Sequence, residues 1–554
     1  MDAVPLADRI TAAAANCGEP ATLQVPTIAW GADMAASLAN GNATRTASGS
    51  IFADEGLDIT LYRQDDFQAQ IEDYLACRTP FIRGTMGMLS QAAAVLGRDQ
   101  RTAPVVVYQL SWSNGGDALV VKDTIRTPAD LRGKTIAVQA YGPHVDYLMR
   151  ILTDAGLTPD DVTIVWTRDL LQIDETSVSP AMALREDPAV DAAFVIIPDA
   201  LALTSGGTVG TGSEESVRGA HILLSTRTAS RVIADVYAVR ADYFAAHRDQ
   251  VMAFVHGLMR AEEQLSGLMR TRSGADYDRM ISAAAELLLD ASTATDDAVA
   301  MYGDAELAGF PQNVAFFTDG ANPRGFGRIG PEIQRSMIAL GLLSQEVPFT
   351  HAEWDYAALA EDLSETEGVE RPRFDTDVVQ QIVTTRIQQD ADSGVLFSFE
   401  IYFGPNQNTF PADQYRDAFS QAIELASTYG GAILTIEGHS DPLGYLRQKR
   451  DGAAATVLNQ IRQSARNLSY SRANAVADSI IAFAAGEGIT LDPSQFGIVG
   501  LGIGQPNTPQ CTYDETGDIT LACAPANEQE WNATRRVVFK IVQIEAEAPA
   551  FNPL

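Results

Sequence analysis

The chain has 554 residues, 46% of them hydrophobic, and sets 39 Lys and Arg against 72 Asp and Glu for a formal net charge of −33. Such a length can bury several cores, while the acidity repels polyanions and anionic lipid and argues against nucleic acid as a partner. No stretch reaches the roughly 20 uninterrupted apolar residues of a membrane span.

Residues 1–20 read as an N-terminal segment. Met1-Asp2-Ala3-Val4-Pro5 has neither a basic n-region nor an apolar h-region. An envelope protein with this start would have its signal or anchor upstream of the numbering. Cys17 is a poor lipid-bearing residue, because Ala14-Ala15-Asn16 lacks the apolar residue such signals carry. Nothing in the sequence brings Cys17 and Cys77 together, so their pairing stays open.

From residue 21 to residue 347, short apolar runs alternate with amphipathic helical stretches, the pattern of a mostly parallel α/β architecture. Strands are expected at Leu23–Ala29, Gly56–Tyr62 and Pro80–Arg83, with helices at Met34–Ala39, Phe67–Leu75 and Ser90–Leu96. Val105–Leu110 and Ala118–Val121 read as a hairpin around Ser113-Asn114-Gly115-Gly116, on turn chemistry. Further strands are expected at Val162–Trp166, Ala192–Ile197, His221–Leu224 and Asp235–Val239. Helices are expected at Tyr147–Asp154, Tyr243–Ser266 and Asp276–Leu289.

The phrases Glu55-Gly56-Leu57-Asp58, Gly84-Thr85-Met86-Gly87, Asp130-Leu131-Arg132-Gly133-Lys134-Thr135-Ile136-Ala137, Asp235-Val236-Tyr237-Ala238-Val239-Arg240 and Gly309-Phe310 stand in order along this part. In them the chain resembles the two-lobed solute-binding proteins of ABC uptake systems, in the branch of alkanesulfonate, taurine and thiamine-precursor binders. The resemblance implies a type II periplasmic-binding-protein fold, with lobe 1 at about residues 21–132 and 225–347 and lobe 2 at about 133–224. Two chain crossings would form the hinge.

Ligands of open α/β sheets sit beyond the carboxyl ends of strands. That logic gives as candidates Trp30, Asp33, Arg83, Gly84, Thr85, Ser111, Trp112, Tyr141, His144, Asp169, Asp199 and Asp235. Several of them have a plain alternative. Gly84-Thr85 either caps an anion or is an ordinary N-cap; Trp30 and Tyr141 either sandwich an apolar ligand body or pack into the core. Asp33 and Asp199 either take an ammonium or cap helices, Arg83 either pairs an anionic ligand or makes an internal salt bridge, and His144 is either a contact or a solvated residue.

Residues 348–390 are acidic and Pro-punctuated, a connector with some helix at Ala352–Ser364. Residues 391–545 then follow the order β-α-β-α-β-β, with strands at Val395–Phe403, Ala432–Glu437, Phe496–Leu501 and Val537–Val542 and helices at Ala412–Thr428 and Leu468–Gly486. Gly500-Leu501-Gly502-Ile503-Gly504 precedes no helix in the manner of a dinucleotide site and reads as a loop. Cys511 and Cys523 flank a polar loop and are expected to form a disulfide in an oxidising compartment. The tail, 546–554, reads as disordered.

Gly438-His439-Ser440-Asp441-Pro442-Leu443-Gly444, then Leu468-Ser469-Tyr470-Ser471-Arg472-Ala473, then Arg535-Arg536-Val537 resembles the OmpA C-terminal domain, which binds peptidoglycan non-covalently. The resemblance implies that Asp441 and Arg472 hold the two ends of diaminopimelate in the stem peptide, with Ser440, Gly444, Arg535 and Arg536 around them. A carboxylate for the ammonium and a guanidinium fork for the carboxylate suit such a zwitterion. The plain reading makes Asp441 a turn residue and Arg472 a surface helix residue. Two departures flank the motif: Tyr445–Asn467 is a longer insertion than the family carries, and Thr534 stands where an Asn normally precedes Arg-Arg-Val.

The combined expectation is a Gram-negative periplasmic binding protein for an unknown small solute, held at the wall by peptidoglycan. It would serve uptake or sensing through an inner-membrane transporter or envelope complex, without cofactor or metal. A rival is a ligand-free docking module of an envelope complex. An enzyme is the third class, but the sequence has no Gly-x-Ser-x-Gly, no His-Glu-x-x-His and no phosphate loop, and its six His lack metal spacing.

Overall fold

A computed structural model of the chain describes residues 2–18, 22–171, 176–213, 215–367, 395–404 and 412–542, together with residues 374, 375, 378, 379 and 383. The expected tail at 546–554 and most of the expected connector after residue 367 lie outside the described residues. The chain divides into two compact units, Met1–Val369 and Glu370–Leu554.

In the first unit β1 (Leu23–Thr27) and β2 (Ile59–Arg63) pair in parallel. β3 (Phe81–Thr85) and β4 (Pro104–Ser113) are buried along their whole length, as strands covered on both faces must be. The chain then leaves this sheet. β5 (Asp117–Val121), β6 (Thr135–Gln139), β7 (Thr163–Thr167), β8 (Ala192–Ile196) and β9 (His221–Ser225) build a second sheet in the order β7-β6-β8-β5-β9. It returns through residues 226–233, and β10 (Ala234–Arg240) and β11 (Ala305–Leu307) complete the first sheet as β11-β4-β10-β3.

Each sheet has its own core. Phe81 and Tyr237 pack on Phe254 with ring centroids 4.8 and 5.3 Å apart in the first lobe, and Val120, Ala137, Leu184, Val195 and Leu203 fill the second.

The Asn-Gly-Gly stretch is a correction to the hairpin expectation. β4 and β5 belong to different sheets, and Asn114–Gly116 is the first crossing between lobes. Hairpin and crossing ask the same of the backbone here: Gly115 has φ +115°, and a Cβ on Gly116 would lie 2.7 Å from the Trp30 ring. β5 therefore goes with lobe 2, not with lobe 1. The expected connector also begins differently, since β12 (Thr350–His351) joins β4 and Trp354 donates its indole N–H to Val107 O at 2.9 Å. The helix there is confined to Tyr356–Leu359.

Six helices matter for the sites of this unit: α1 (Leu6–Arg9), α2 (Met86–Leu96), α3 (His144–Asp154), α4 (Ile197–Leu203), α5 (Arg248–Thr271) and α6 (Phe326–Ala339).

The second unit is a four-stranded sheet of β13 (Val395–Tyr402), β14 (Ile433–His439), β15 (Phe496–Gly502) and β16 (Arg536–Val542) in the order β13-β16-β14-β15, with only β14 and β15 parallel. Its longer described helices are α7 (Arg416–Thr428), α8 (Leu443–Arg450) and α9 (Ala455–Gly486). Tyr445–Asn467 supplies α8 and the first turns of α9, so α9 starts well before the expected Leu468. Gly500 and Gly502 are strand and not loop. α9 lies so close on the sheet that a Cβ on Gly438 would meet Ser469 O at 1.9 Å and one on Gly500 would meet Arg466 O at 2.5 Å.

Candidate functional site

Most of the polar candidates of the first lobe join into one internal chain. Trp30 Nε1 donates to Ser111 Oγ at 2.9 Å, and Ser111 Oγ donates to Asp235 Oδ2 at 3.1 Å. Arg83 donates to Asp235 Oδ1 and to Asp33 Oδ2, both at 2.8 Å. Arg83 and Asp33 are fully buried. Burial raises both carboxyl groups, Asp235 to about 6, and the guanidinium between them draws them back. This triad ties β3 and β10 to the turn Gly31–Asp33 after β1 and has no surface to offer a solute, which corrects the ligand role expected of Asp33, Arg83, Ser111 and Asp235.

Thr85 is the ordinary N-cap, its Oγ1 accepting from Met88 N at 3.1 Å, and Gly84 O accepts from Arg83. Trp112 packs edge-on to Phe316, with Arg231 over its ring. Asp169 closes its own loop by accepting from Val178 N at 2.8 Å.

At the second lobe's face, His144 is fully buried and not solvated, with Nε2 2.7 Å from Asp117 Oδ1. Asp117 accepts in turn from Ser113 Oγ at 2.6 Å, and Thr226 Oγ1 accepts from the amides of Gly115 and Asp117. One buried cluster thus ties both crossings. Beside it lie two residues that sequence reasoning missed. An ideal Cβ on Gly115 would have the Arg227 guanidinium at 3.2 Å and the Asp304 carboxylate at 3.4 Å. Burial raises Asp304 to about 6, against the pull of Arg227. Their signal was present only as the turn Asn114–Gly116, read for a different structure. Asp199, in the first turn of α4, has a buried Oδ2 and a carboxyl raised mainly by burial.

The lobes also meet along a seam of charges. Arg150 on α3 pairs with Glu332 on α6 at 3.0 Å, and Arg324 joins at 3.2 Å. Asp146 sits against Gly87 of α2, where a Cβ would approach to 2.8 Å. Burial, reinforced by Glu332, pushes the Asp146 carboxyl up to about 7.

Tyr141, expected to face a ligand, is taken by the chain itself. In left-handed backbone (φ +65°), it donates its hydroxyl to Val4 O at 2.7 Å and accepts from Val4 N at 3.1 Å. Arg98 of the first lobe donates to Ile10 O at 2.6 Å, Leu6 and Ile10 are buried, and Cys17 is bonded to Cys77. The N-terminal segment therefore straps lobe 2 to lobe 1.

In the second unit, Asp441, Arg472 and Arg535 converge. Asp441 follows β14, and its Oδ1 accepts from Leu443 N at 3.2 Å at the start of α8. Arg472 is buried on α9, donating to His439 O at 3.2 Å and lying over the Phe403 ring at 5.3 Å. Arg535 donates to Phe403 O at 3.2 Å and covers Trp531 at 4.6 Å. Burial and the neighbouring Arg535 pull Arg472 down to about 10, while Asp441 acts the other way on both guanidiniums. Two cations thus crowd one carboxylate.

The remaining motif residues divide. Ser440 is buried, donating Oγ to Ala465 O at 3.1 Å and its amide to Gly502 O at 2.8 Å, so it pins the turn and does not face a ligand. Gly444 is exposed in the first turn of α8. Arg536 pairs with Glu400 on β13 at 3.1 Å and stands apart from the other three. Cys511 and Cys523 are bonded.

Residues 49–265 match the family model described as NMT1/THI5 like. A taurine-binding periplasmic protein of Escherichia coli (strain K12) is 31% identical over 214 residues, 38% of this chain and 59% of the relative, so the chain spans less than two thirds of that curated relative's length. Among solved structures, the aliphatic sulphonate binding protein of Escherichia coli is similar at TM-score 0.40 and 14% identity, over 64% of this chain and 99% of that one. The alkanesulfonate-binding protein of Xanthomonas axonopodis pv. citri, bound to MOPS, is similar at TM-score 0.36 and 19% identity, over 52% and 87%.

Proposed function

We propose that this chain is a periplasmic solute receptor fixed to the cell wall. Its first unit takes a small solute between two lobes joined by the crossings at 114–116 and 226–233, and its second unit holds the diaminopimelate of a peptidoglycan stem peptide. The observation that carries the wall reading is the convergence of Asp441 with Arg472 and Arg535: a zwitterion placed there gives its ammonium to the carboxylate and its carboxylate to the two guanidiniums.

The solute reading rests on the family match over 49–265 and on the crossing, where Arg227 and Asp304 flank Gly115. A guanidinium and a carboxylate side by side suit a small zwitterion, and taurine, named in the relative, is the first probe. Closure works if the solute touches both lobes only in the closed state, and an inner-membrane transporter would read that closure. A second reading, a docking body that no longer takes a solute, draws on the self-satisfied Asp33–Arg83–Asp235 triad.

The test is co-sedimentation of the full chain with purified peptidoglycan, alongside thermal shift with taurine and aliphatic sulfonates. Pelleting that Asp441→Ala abolishes supports the anchor, and pelleting unchanged by it defeats the anchor. A rise in melting point with one compound favours capture, and no rise with any favours docking.

A further inference from the structure

Asn459, Gln463, Arg466 and Tyr470 occupy positions i, i+4, i+7 and i+11 of α9 and so share one face. That face runs beside β15, the edge strand of the sheet. Between it, the end of β15 and the Cys511–Cys523 loop lies a cavity of about 550 Å³. Ile503 and Ile519, both buried, line its floor. The loop wall is held by the disulfide and by Tyr513, whose hydroxyl donates to Gly504 O at 3.2 Å.

The groups here are ordered rather than loose. Arg466 donates Nε to Gly500 O at 3.3 Å, and Gln463 donates its amide to Asn467 Oδ1 at 2.9 Å. Arg462 is held over the Tyr445 ring by Asp518 at 2.6 Å. Tyr470 and Tyr513 leave 50% and 52% of their surface in water, exposure that large aromatic side chains usually avoid.

We propose that this stripe and cavity form a second subsite, one that binds the sugar chain of the wall polymer. The inference rests on the anchoring reading above and extends it. Amide and guanidinium groups recurring about every 5.4 Å along one helix face present a row of polar contacts to an extended chain of sugars. Amides serve N-acetyl and hydroxyl groups, the guanidinium serves a carboxylate substituent, and the two phenol rings serve the apolar faces of sugar rings. The subsite adjoins the stem-peptide clamp: Ser440, one residue before Asp441, is bonded to Ala465 and Gly502, next to Arg466 and Ile503. One wall fragment can then lay its sugars on α9 and its peptide at Asp441. Tyr445–Asn467 and the 511–523 loop, which build this wall, include the longest departure from the family pattern.

The test uses the full chain and two probes: glycan strands freed of stem peptides by an amidase, and a stem tripeptide ending in diaminopimelate. Binding is read by calorimetry. The chain is expected to bind both. Gln463→Ala with Arg466→Ala, and separately Tyr470→Ala, should weaken the bare glycan at least tenfold and leave the tripeptide unchanged, whereas Asp441→Ala should do the reverse. These side chains are exposed, so an unchanged melting point certifies the fold. Bare glycan that fails to bind, or that binds the stripe variants as it binds the parent, overturns the subsite. If the tripeptide still binds, the clamp survives that failure. Glycan binding lost in the stripe variants, with a tripeptide that does not bind the parent, upholds the subsite and overturns the clamp.

Discussion

The two units each set Asp and Arg side chains together in a buried place, and the two clusters behave in opposite ways. In the first unit Arg83 lies between Asp33 and Asp235, and its attraction to them raises its affinity for its proton. In the second unit Arg472 is buried beside Arg535, with Asp441 on their flank, and its affinity falls. Sequence logic nominated members of both as binding residues. Residue type and strand-end position are thus alike in the two clusters, while their local charge environments differ.

The strongest way to break the comparison is to remove the central cation of the first cluster. Arg83→Leu leaves two carboxyl groups buried without their partner and should cost the first unit about 3–5 kcal/mol, read as the midpoint of its urea transition. The loss should shrink in acid, where Asp33 and Asp235 neutralise by protonation. A shift below about 1 kcal/mol at pH 7 would mean that the triad contributes little. Replacing all three residues with apolar ones of similar volume should recover most of the loss.

A second test asks whether unbalanced charge also sits inside the first unit. Asp146 titrates near pH 7 in the folded protein, against an ordinary value of 3.8. Between roughly pH 4 and 7 the folded state therefore holds a proton that the unfolded chain has released, and stability falls as pH rises through that window. Asp146→Asn removes this penalty with a side chain of the same size, which the close approach to Gly87 demands. It should stabilise by about 4 kcal/mol at pH 8 and by almost nothing at pH 4. Parallel stability curves for parent and variant across that range would contradict the assignment.

How much of this was legible in the sequence follows from what each signal encodes. The alternation of strand and helix, the paired Cys511 and Cys523, and the place of Asp441 just after a strand are local properties, and local pattern carries them; Arg472 was expected near a helix start and lies in the middle of α9. Asn114-Gly115-Gly116 demanded special backbone in either reading, and only the partners of β4 and β5 distinguish a crossing from a hairpin. Asp33 and Arg83 are 50 residues apart, and Asp235 lies 152 from Arg83. Their mutual neutralisation is a product of packing that no window can see. Arg227 and Asp304 escaped notice for the same reason. The start of α9 was missed because a family-based expectation called Tyr445–Asn467 an insertion, although Ala455–Leu468 continues the helical pattern.

The third test sharpens the comparison from the other side. Arg472→Ala should lower peptidoglycan affinity at least tenfold, about 1.4 kcal/mol, while shifting the unfolding midpoint of the second unit by less than Arg83→Leu shifts the first. Removing a cation that its surroundings disfavour offsets the lost bonds to His439 O and Gly404 O. Arg472→Lys keeps the charge but loses the planar fork, so partial affinity is expected. A large loss of stability with unchanged binding would reverse the roles of the two clusters.

The smallest effect concerns the strap, where an uncharged contact does what the clusters do with charge. The Tyr141 hydroxyl takes both the N–H and the C=O of Val4, and Phe at this position keeps the ring beneath Arg9 and the same left-handed backbone. The difference between the two proteins therefore isolates the hydroxyl. Net worth per hydrogen bond is about 1 kcal/mol, and the Cys17–Cys77 bond limits how far the released segment can go. Tyr141→Phe should leave the melting point nearly unchanged and speed hydrogen exchange at the Val4 amide about tenfold, as the strap detaches from lobe 2 while remaining bound to lobe 1 through Arg98. Exchange at Val4 that does not change would mean that Leu6 and Ile10, buried against the first lobe, hold the strap without help from the second.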